Sequence, residues 1–318
     1  MKTKTMLEHA REFIRFRRNL GYIYKDQATR LESFGAFVDS FGKGQPLTIK
    51  LALQWATNTT SQKSYAADRL STIRPFARHL VASDPRTELI PTRLLNPGNR
   101  RADPYIYSQR EIGLLMNTVV FPDDQRFSQN TFSTIIGLLS ISGIRIGEAL
   151  SLQRKNIDWN NGTIIVRNSK RLPMRLVPLH ASVVNELKRY EKCRECNFPA
   201  NTSDHFFLSY NGRPMPYQGV RYRWISLLGK MGIGKSRKRR PRIYDLRHTF
   251  ACNHLLRAYR KNLDIDVAVD SLSTCLGHSS INETYWYLTA VPELQKLCSK
   301  RFESHIIATK HENTKTTD

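Results

Sequence analysis

The chain has 318 residues, more than one domain usually holds, and 40% of them are hydrophobic, enough for two separate cores. Fifty Lys and Arg stand against 27 Asp and Glu, a formal charge of +23. That excess goes far beyond what solubility requires and points to a polyanionic partner, nucleic acid first. No apolar run approaches the roughly 20 residues of a membrane span. The amino terminus reads as an amphipathic helix without the apolar centre of a secretion signal, so an intracellular location, cytoplasmic and on DNA, is expected. Five cysteines, an odd and scattered set, fit reduced thiols. Cys193 and Cys196 form a CxxC in a charged helical run, but no second ligand pair stands at a zinc-like spacing.

In chain order, residues 6–20 carry Met6, Ala10, Phe13 and Leu20 at helical spacing beside Arg15, Arg17 and Arg18, with Gly21 as a stop. A second helix is predicted over 26–41, with Leu31, Phe34, Val38 and Phe41 on one stripe, and a third over 48–56. A fourth begins near position 61 and places Leu70, Ile73, Ala77 and Leu80 on one face; Pro75 should kink it or move its start. Residues 1–84 therefore read as a helical DNA-binding bundle. Over 85–107, four prolines, Gly98 and Arg100-Arg101 break every periodic pattern, which reads as a linker lying along a phosphate backbone.

A second domain, 108–304, opens on Ser108-Gln109-Arg110-Glu111, a capping-box pattern. Its core helix is predicted over 132–141. Strand patterns follow at 157–159, 163–167 and 175–179, the first two separated by Asn160-Asn161-Gly162. Helices resume over 182–193, over 218–231, after Tyr244 and toward Leu276 and Tyr287. A last one, with Leu294, Leu297 and Phe302 as apolar points, decays into a polar tail, 305–318. The fold class is mainly α with a small antiparallel sheet in the second domain.

Three segments carry chemistry. Ser142-Gly143-Ile144-Arg145-Ile146-Gly147-Glu148 sets an arginine at a helix start, and Tyr244-Asp245-Leu246-Arg247-His248 sets a second after an apolar lead. Leu276-Gly277-His278 is followed nine residues later by Tyr287. Breaking and rejoining a phosphodiester without metal or ATP needs a side-chain nucleophile, which keeps the bond energy in a covalent intermediate, and cations for the phosphoryl oxygens. Arginine suits the second task because its fork donates two hydrogen bonds and stays charged. An unpaired arginine against a core is costly, so Arg145 and Arg247 should each have an anionic partner; Glu148, one turn after Arg145, is available to one of them. Tyr285, Trp286 and Tyr287 taken alone read as a core aromatic cluster, and phenols two apart on a helix point to different faces. Six of the eight residues Lys235-Ser236-Arg237-Lys238-Arg239-Arg240-Pro241-Arg242 are basic, and the run leads into the second arginine segment as a phosphate-contact candidate.

These segments resemble the tyrosine recombinase, or phage-type integrase, family, over the whole second domain, and the bundle looks like that family's core-binding domain. The resemblance implies catalytic roles for Arg145, Arg247, His278 and the nucleophile Tyr287, with Glu148 and His248 in support. It also selects Lys170, in the tip 168–173 before Arg175-Leu176-Val177-Pro178-Leu179, as general acid. Tyr244 stands where the family usually has histidine; a phenol still donates and accepts a hydrogen bond but is a poorer proton acceptor than imidazole at neutral pH. The implied activity is site-specific recombination of a mobile element through a 3′-phosphotyrosyl link, with no metal or nucleotide cofactor. The implied assembly is a homotetramer on two double-stranded DNA sites, with the helix near 293–302 packing on a neighbouring subunit. A relaxing topoisomerase of the same chemistry and a catalytically silent DNA-binding protein are the alternatives.

Overall fold

The computed structural model describes residues 4–59, 63–96, 103–118, 121–122, 125–167, 174–200, 203–235, 239–290, 292–299 and 303. It divides into two compact units, Met1–Ala102 and Asp103–Asp318.

The first unit is built from α1 (Met6–Asn19), α2 (Asp26–Asp39), α3 (Ile49–Thr57) and α4 (Lys63–Leu80). Thr5 caps α1 in a capping box with Glu8, and the Asp39 carboxylate at the end of α2 accepts from the Met6 and Leu7 amides. Three free N–H groups of the first turn are thus satisfied, two of them by another helix. Phe13, Leu31, Phe34, Val38, Leu70, Ile73, Phe76 and Leu80 form the core. Phe41 does not join it: α2 stops at Asp39, and the ring lies half exposed, edge-on to Phe37. Helix α4 runs through Pro75, because the residues around it, Ile73, Phe76 and Ala77, are all fully buried and hold the segment in place. The stretch expected to link the domains divides between them. Ile90 is buried in the first core, and Glu88 bonds to Leu47 and Ile49, whereas Tyr107 belongs to the second core. The prolines remove periodicity without preventing burial of the apolar residues between them.

The second unit opens with α5 (Gln109–Asn117), where both capping-box bonds between Ser108 and Glu111 are made. Helix α6 (Arg126–Ser142) is longer than its pattern predicts and buries Phe132, Ile135, Ile136, Leu138 and Leu139 at the centre of the larger core. After the short α7 (Ile146–Leu150) come β1 (Ile157–Asp158), β2 (Thr163–Arg167) and β3 (Met174–Pro178), an antiparallel sheet in the order β1-β2-β3 with Ile164 opposite Val177 and Val166 opposite Arg175. Then follow α8 (Ala181–Asn197), α9 (Tyr217–Met231), α10 (Asp245–Arg260), α11 (Ile265–Leu276) and α12 (Asn282–Ala290). A helical segment, 292–299, completes the described chain apart from residue 303. Residues of α10, α11 and α12 make a second cluster around Leu255, Val269, Leu272, Leu276 and Tyr287. Leu294 is fully buried in that same cluster, and Arg260 is ion-paired to Glu293, so the segment expected to pack on a neighbour packs on its own unit here. No helix among the described residues is long and apolar enough to cross a membrane.

Candidate active site

The end of α6 sets the first arginine. Gly143 takes the left-handed conformation as its C-cap, φ 63°, and a Cβ there would lie 2.4 Å from the Phe250 ring and 2.8 Å from Leu276. Only glycine fits both the angle and the space. The chain then turns so that Arg145 becomes the residue before α7, with its backbone N–H donating to Glu148 Oε2 at 2.8 Å and its Nη1 to Glu148 Oε1 at 3.0 Å.

Helix α11 ends in the same way. Gly277 is left-handed, φ 66°, and a Cβ on it would fall 2.9 Å from Arg175 Nη1. The last carbonyls of this helix each take an arginine from a different element. Cys275 O accepts from Arg175 Nε at 2.9 Å, Leu276 O from Arg247 Nη2 at 2.7 Å and Gly277 O from Arg145 Nη2 at 3.3 Å. The physical reason is plain: a helix C-terminus leaves its final carbonyls unpaired and carries the negative end of the dipole, so it attracts cations.

Arg247, in the first turn of α10, is 1% exposed. Its other nitrogen, Nη1, donates to Gly143 O at 2.7 Å, and its Nε has no hydrogen-bond partner among the described residues. Burial pushes its pKa down. The anionic partner expected for Arg247 is therefore replaced by two carbonyls, which satisfy the fork without neutralising it. Arg145 does have its carboxylate. Burial works against the Glu148 charge, but hydrogen bonds from Arg175 and Arg145 outweigh it and hold the carboxyl below the ordinary carboxylate range.

Tyr287 and Tyr285 part company as helix geometry demands. Tyr287 is 2% exposed, and its hydroxyl lies 3.1 Å from His248 Nδ1. Burial raises its pKa well above that of a free phenol, with the Arg247 charge pulling the other way. Its ring stacks near-parallel to His278, whose Nδ1 is 2.7 Å from Thr284 Oγ1. Tyr285 is on the surface, bonded to Asp266, which raises its pKa. Tyr244 precedes α10, 39% exposed, edge-on to His248 at 5.0 Å between ring centroids.

A cavity of about 850 Å³ opens on this side of the unit, lined by Arg145, Glu148, Arg167, Tyr244, Gly277 and Glu283 among others. Of the predicted site residues, Arg145, Glu148 and Tyr244 line it; Arg247, His248, His278 and Tyr287 do not, but the 276–277 carbonyls, the His248–Tyr287 pair and the ring contacts link them to those that do. Lys170 lies outside the described residues, as do Arg237 and Lys238 of the basic run. Lys235, Arg239 and Arg240 are exposed, but Arg242 is engaged by Asp245 through its backbone N–H and a 2.7 Å ion pair, which leaves it less free for a phosphate than the sequence suggests. Two features escape the sequence pattern. His248 is the direct partner of the Tyr287 hydroxyl, and Arg175 is a buried member of the arginine cluster.

Residues 112–293 match the phage integrase family. This chain is a member of that family. Among curated relatives, a putative integrase/recombinase, y4rB, of Sinorhizobium fredii is 34% identical over 306 residues, covering 94% of this chain and 97% of the relative. The tyrosine recombinase XerC of Staphylococcus aureus is 27% identical over 233 residues, 71% of this chain and 70% of its own. Among solved structures, the Tn1549 transposon integrase in complex with transposon right end DNA superposes with a TM-score of 0.65 at 19% identity, over 96% of this chain and 100% of that one. The XerH recombinase bound to a palindromic difH substrate gives 0.65 at 17% identity, over 87% and 79%. Family membership accounts for the fold of the second unit.

Proposed function

We propose that this integrase-family chain is a site-specific DNA recombinase of a mobile element that works through Tyr287. The observation that carries the reading is the meeting of two guanidiniums from distant segments, Arg145 and Arg247, on successive carbonyls of one helix end, with the Tyr287 hydroxyl beside them on His248. Two forks held this way suit the nonbridging oxygens of a single phosphate entering the cavity.

In the first step the Tyr287 oxygen forms a bond to phosphorus and the bond to the 5′ oxygen breaks, giving a 3′-phosphotyrosyl link and a 5′-hydroxyl. His248 receives the tyrosine proton, and Lys170 supplies one to the leaving oxygen. His278 and the two arginines bear the charge of the transition state, and Tyr244 bonds a phosphate oxygen where the family usually has imidazole. The 5′-hydroxyl of a partner strand then reverses the attack. Neither metal nor nucleotide is required by these steps. Because Tyr287 is 2% exposed, its hydroxyl reaches a phosphate only when α12 shifts. Lys235, Arg239 and Arg240 contact flanking phosphates of the double-stranded site. Exchange of four strands calls for a homotetramer on two sites, formed when the segment 292–299 leaves its own unit for a neighbour's.

A duplex nicked just beyond the cleavage point, which loses the 5′-hydroxyl fragment, traps the intermediate. A covalent adduct with the unsubstituted chain and none with Tyr287→Phe is expected. A chain that binds such DNA but never attaches to it is instead a silent DNA-binding protein, and the proposal fails.

A further inference from the structure

Arg175 has no place in the reaction as described, yet it is the most completely engaged arginine of the cluster. It stands on β3 with 3% of its side chain exposed, and unlike Arg247, whose Nε is without a hydrogen-bond partner among the described residues, it has all three guanidinium nitrogens engaged within the protein. Nη1 and Nη2 donate to the two oxygens of Glu148 at 3.0 and 2.6 Å, and Nε to Cys275 O at 2.9 Å. Glu148 is therefore shared. Its Oε1 also accepts from Arg145 Nη1, while the Arg145 side chain keeps 34% exposure, on the wall of the cavity.

Charge decides what this sharing does. A single carboxylate between two guanidiniums leaves one net positive charge; the same carboxylate facing Arg145 alone would close into a neutral pair. A neutral pair stabilises a dianionic transition state poorly, because the guanidinium is already answered by its own counter-ion. The Cys275 bond adds a geometric effect, since the next two carbonyls along the chain are the ones that hold Arg247 and Arg145. We propose that Arg175 is a positioning residue for strand cleavage: it occupies Glu148 so that Arg145 keeps its charge for the phosphate, and it pins the carbonyl run 275–277 from which both phosphate-facing arginines hang. The inference rests on the reading of Arg145 and Arg247 as the phosphate-binding pair.

The test measures single-turnover adduct formation, per DNA-bound protein, on nicked duplexes with either an ordinary scissile phosphate or a methylphosphonate there. The methyl group removes one negative charge, and with it most of the demand for the Arg145 charge. Arg175→Met should slow attachment to ordinary DNA by about 100-fold, the size seen when one preorganised donor is lost, and to methylphosphonate DNA by no more than about 5-fold. Restoring charge balance with Glu148→Gln in the Arg175→Met background should recover about 10-fold on ordinary DNA. If Arg175→Met does not fold, Arg175→Lys carries the test: the charge is kept but the fork is lost, so a loss of about 10-fold on phosphate and nearly none on methylphosphonate is expected. Equal losses on the two substrates, or a double variant slower than Arg175→Met, mean that Arg175 only holds the fold, and the inference is overturned. Those outcomes require an active unsubstituted chain; a chain that attaches to neither substrate overturns the function and this inference together.

Discussion

Replacing Gly143 by alanine tests whether the turn after α6 is what delivers Arg145 and holds Arg247. Two costs add. A left-handed φ of 63° disfavours any residue with a Cβ by about 1–2 kcal/mol. The new methyl would also overlap the Phe250 ring at 2.4 Å and Leu276 at 2.8 Å, and overpacking of this kind costs about 1–3 kcal/mol. A loss of about 2–5 kcal/mol is therefore expected in the second unit. The assay is urea unfolding followed by tryptophan fluorescence in a Trp55→Phe background, so that Trp159, Trp224 and Trp286 report on that unit alone. Because the Gly143 carbonyl accepts from Arg247, attachment to nicked DNA should fall by more than the unfolded fraction explains. A loss below about 1 kcal/mol would show that the turn relaxes freely and that the geometric argument for Gly143 is wrong.

Tyr244→Phe, which removes the hydroxyl proposed to bond a phosphate oxygen, should slow single-turnover attachment by about 10-fold; an unchanged rate would mean that Tyr244 makes no such bond. Glu148 contributes a pH dependence of known sign. Its folded pKa lies below the unfolded value of about 4.3, so its stabilisation is complete above that pH and is lost as pH falls through the folded value. The stability gap between the unsubstituted chain and Glu148→Gln, read from urea midpoints, should therefore be constant near pH 6 and shrink below about pH 4, and a gap that does not change with pH would contradict the placement of Glu148 between two arginines.

Sequence patterns located Arg145, Arg247, His278 and Tyr287 because each sits at a fixed offset from a glycine or a helix end, and such offsets survive without coordinates. The partners of those residues were not legible. Arg247 was expected to face a carboxylate and instead uses the carbonyls of Gly143 and Leu276, backbone groups that carry no sequence signature. Arg175 hid in plain view. Strand alternation puts Arg175 and Val177 on the inward face of β3 and leaves Met174 and Leu176 outside, each 56% exposed. An apolar reading of Arg175-Leu176-Val177 favours the opposite register, and only the pairing of Ile164 with Val177 and Val166 with Arg175 settles it. The resemblance that puts His248 in support does not name its partner, because the contact with Tyr287 joins residues 39 apart on two helices. In the first unit, the stripe through Leu31, Phe34 and Val38 was clear, but the end of α2 was not, since Asp39 is committed to capping α1.

Recombination by this route bonds one particular phenol to DNA. Mass spectrometry of the trapped protein–DNA adduct, after protease and nuclease digestion, reads it directly. Attack by Tyr287 leaves a nucleotide 3′-phosphate on that residue, a free 5′-hydroxyl on the released strand and an unmodified Tyr285. A nucleotide on Tyr285, or attachment through a 5′-phosphate, would contradict it.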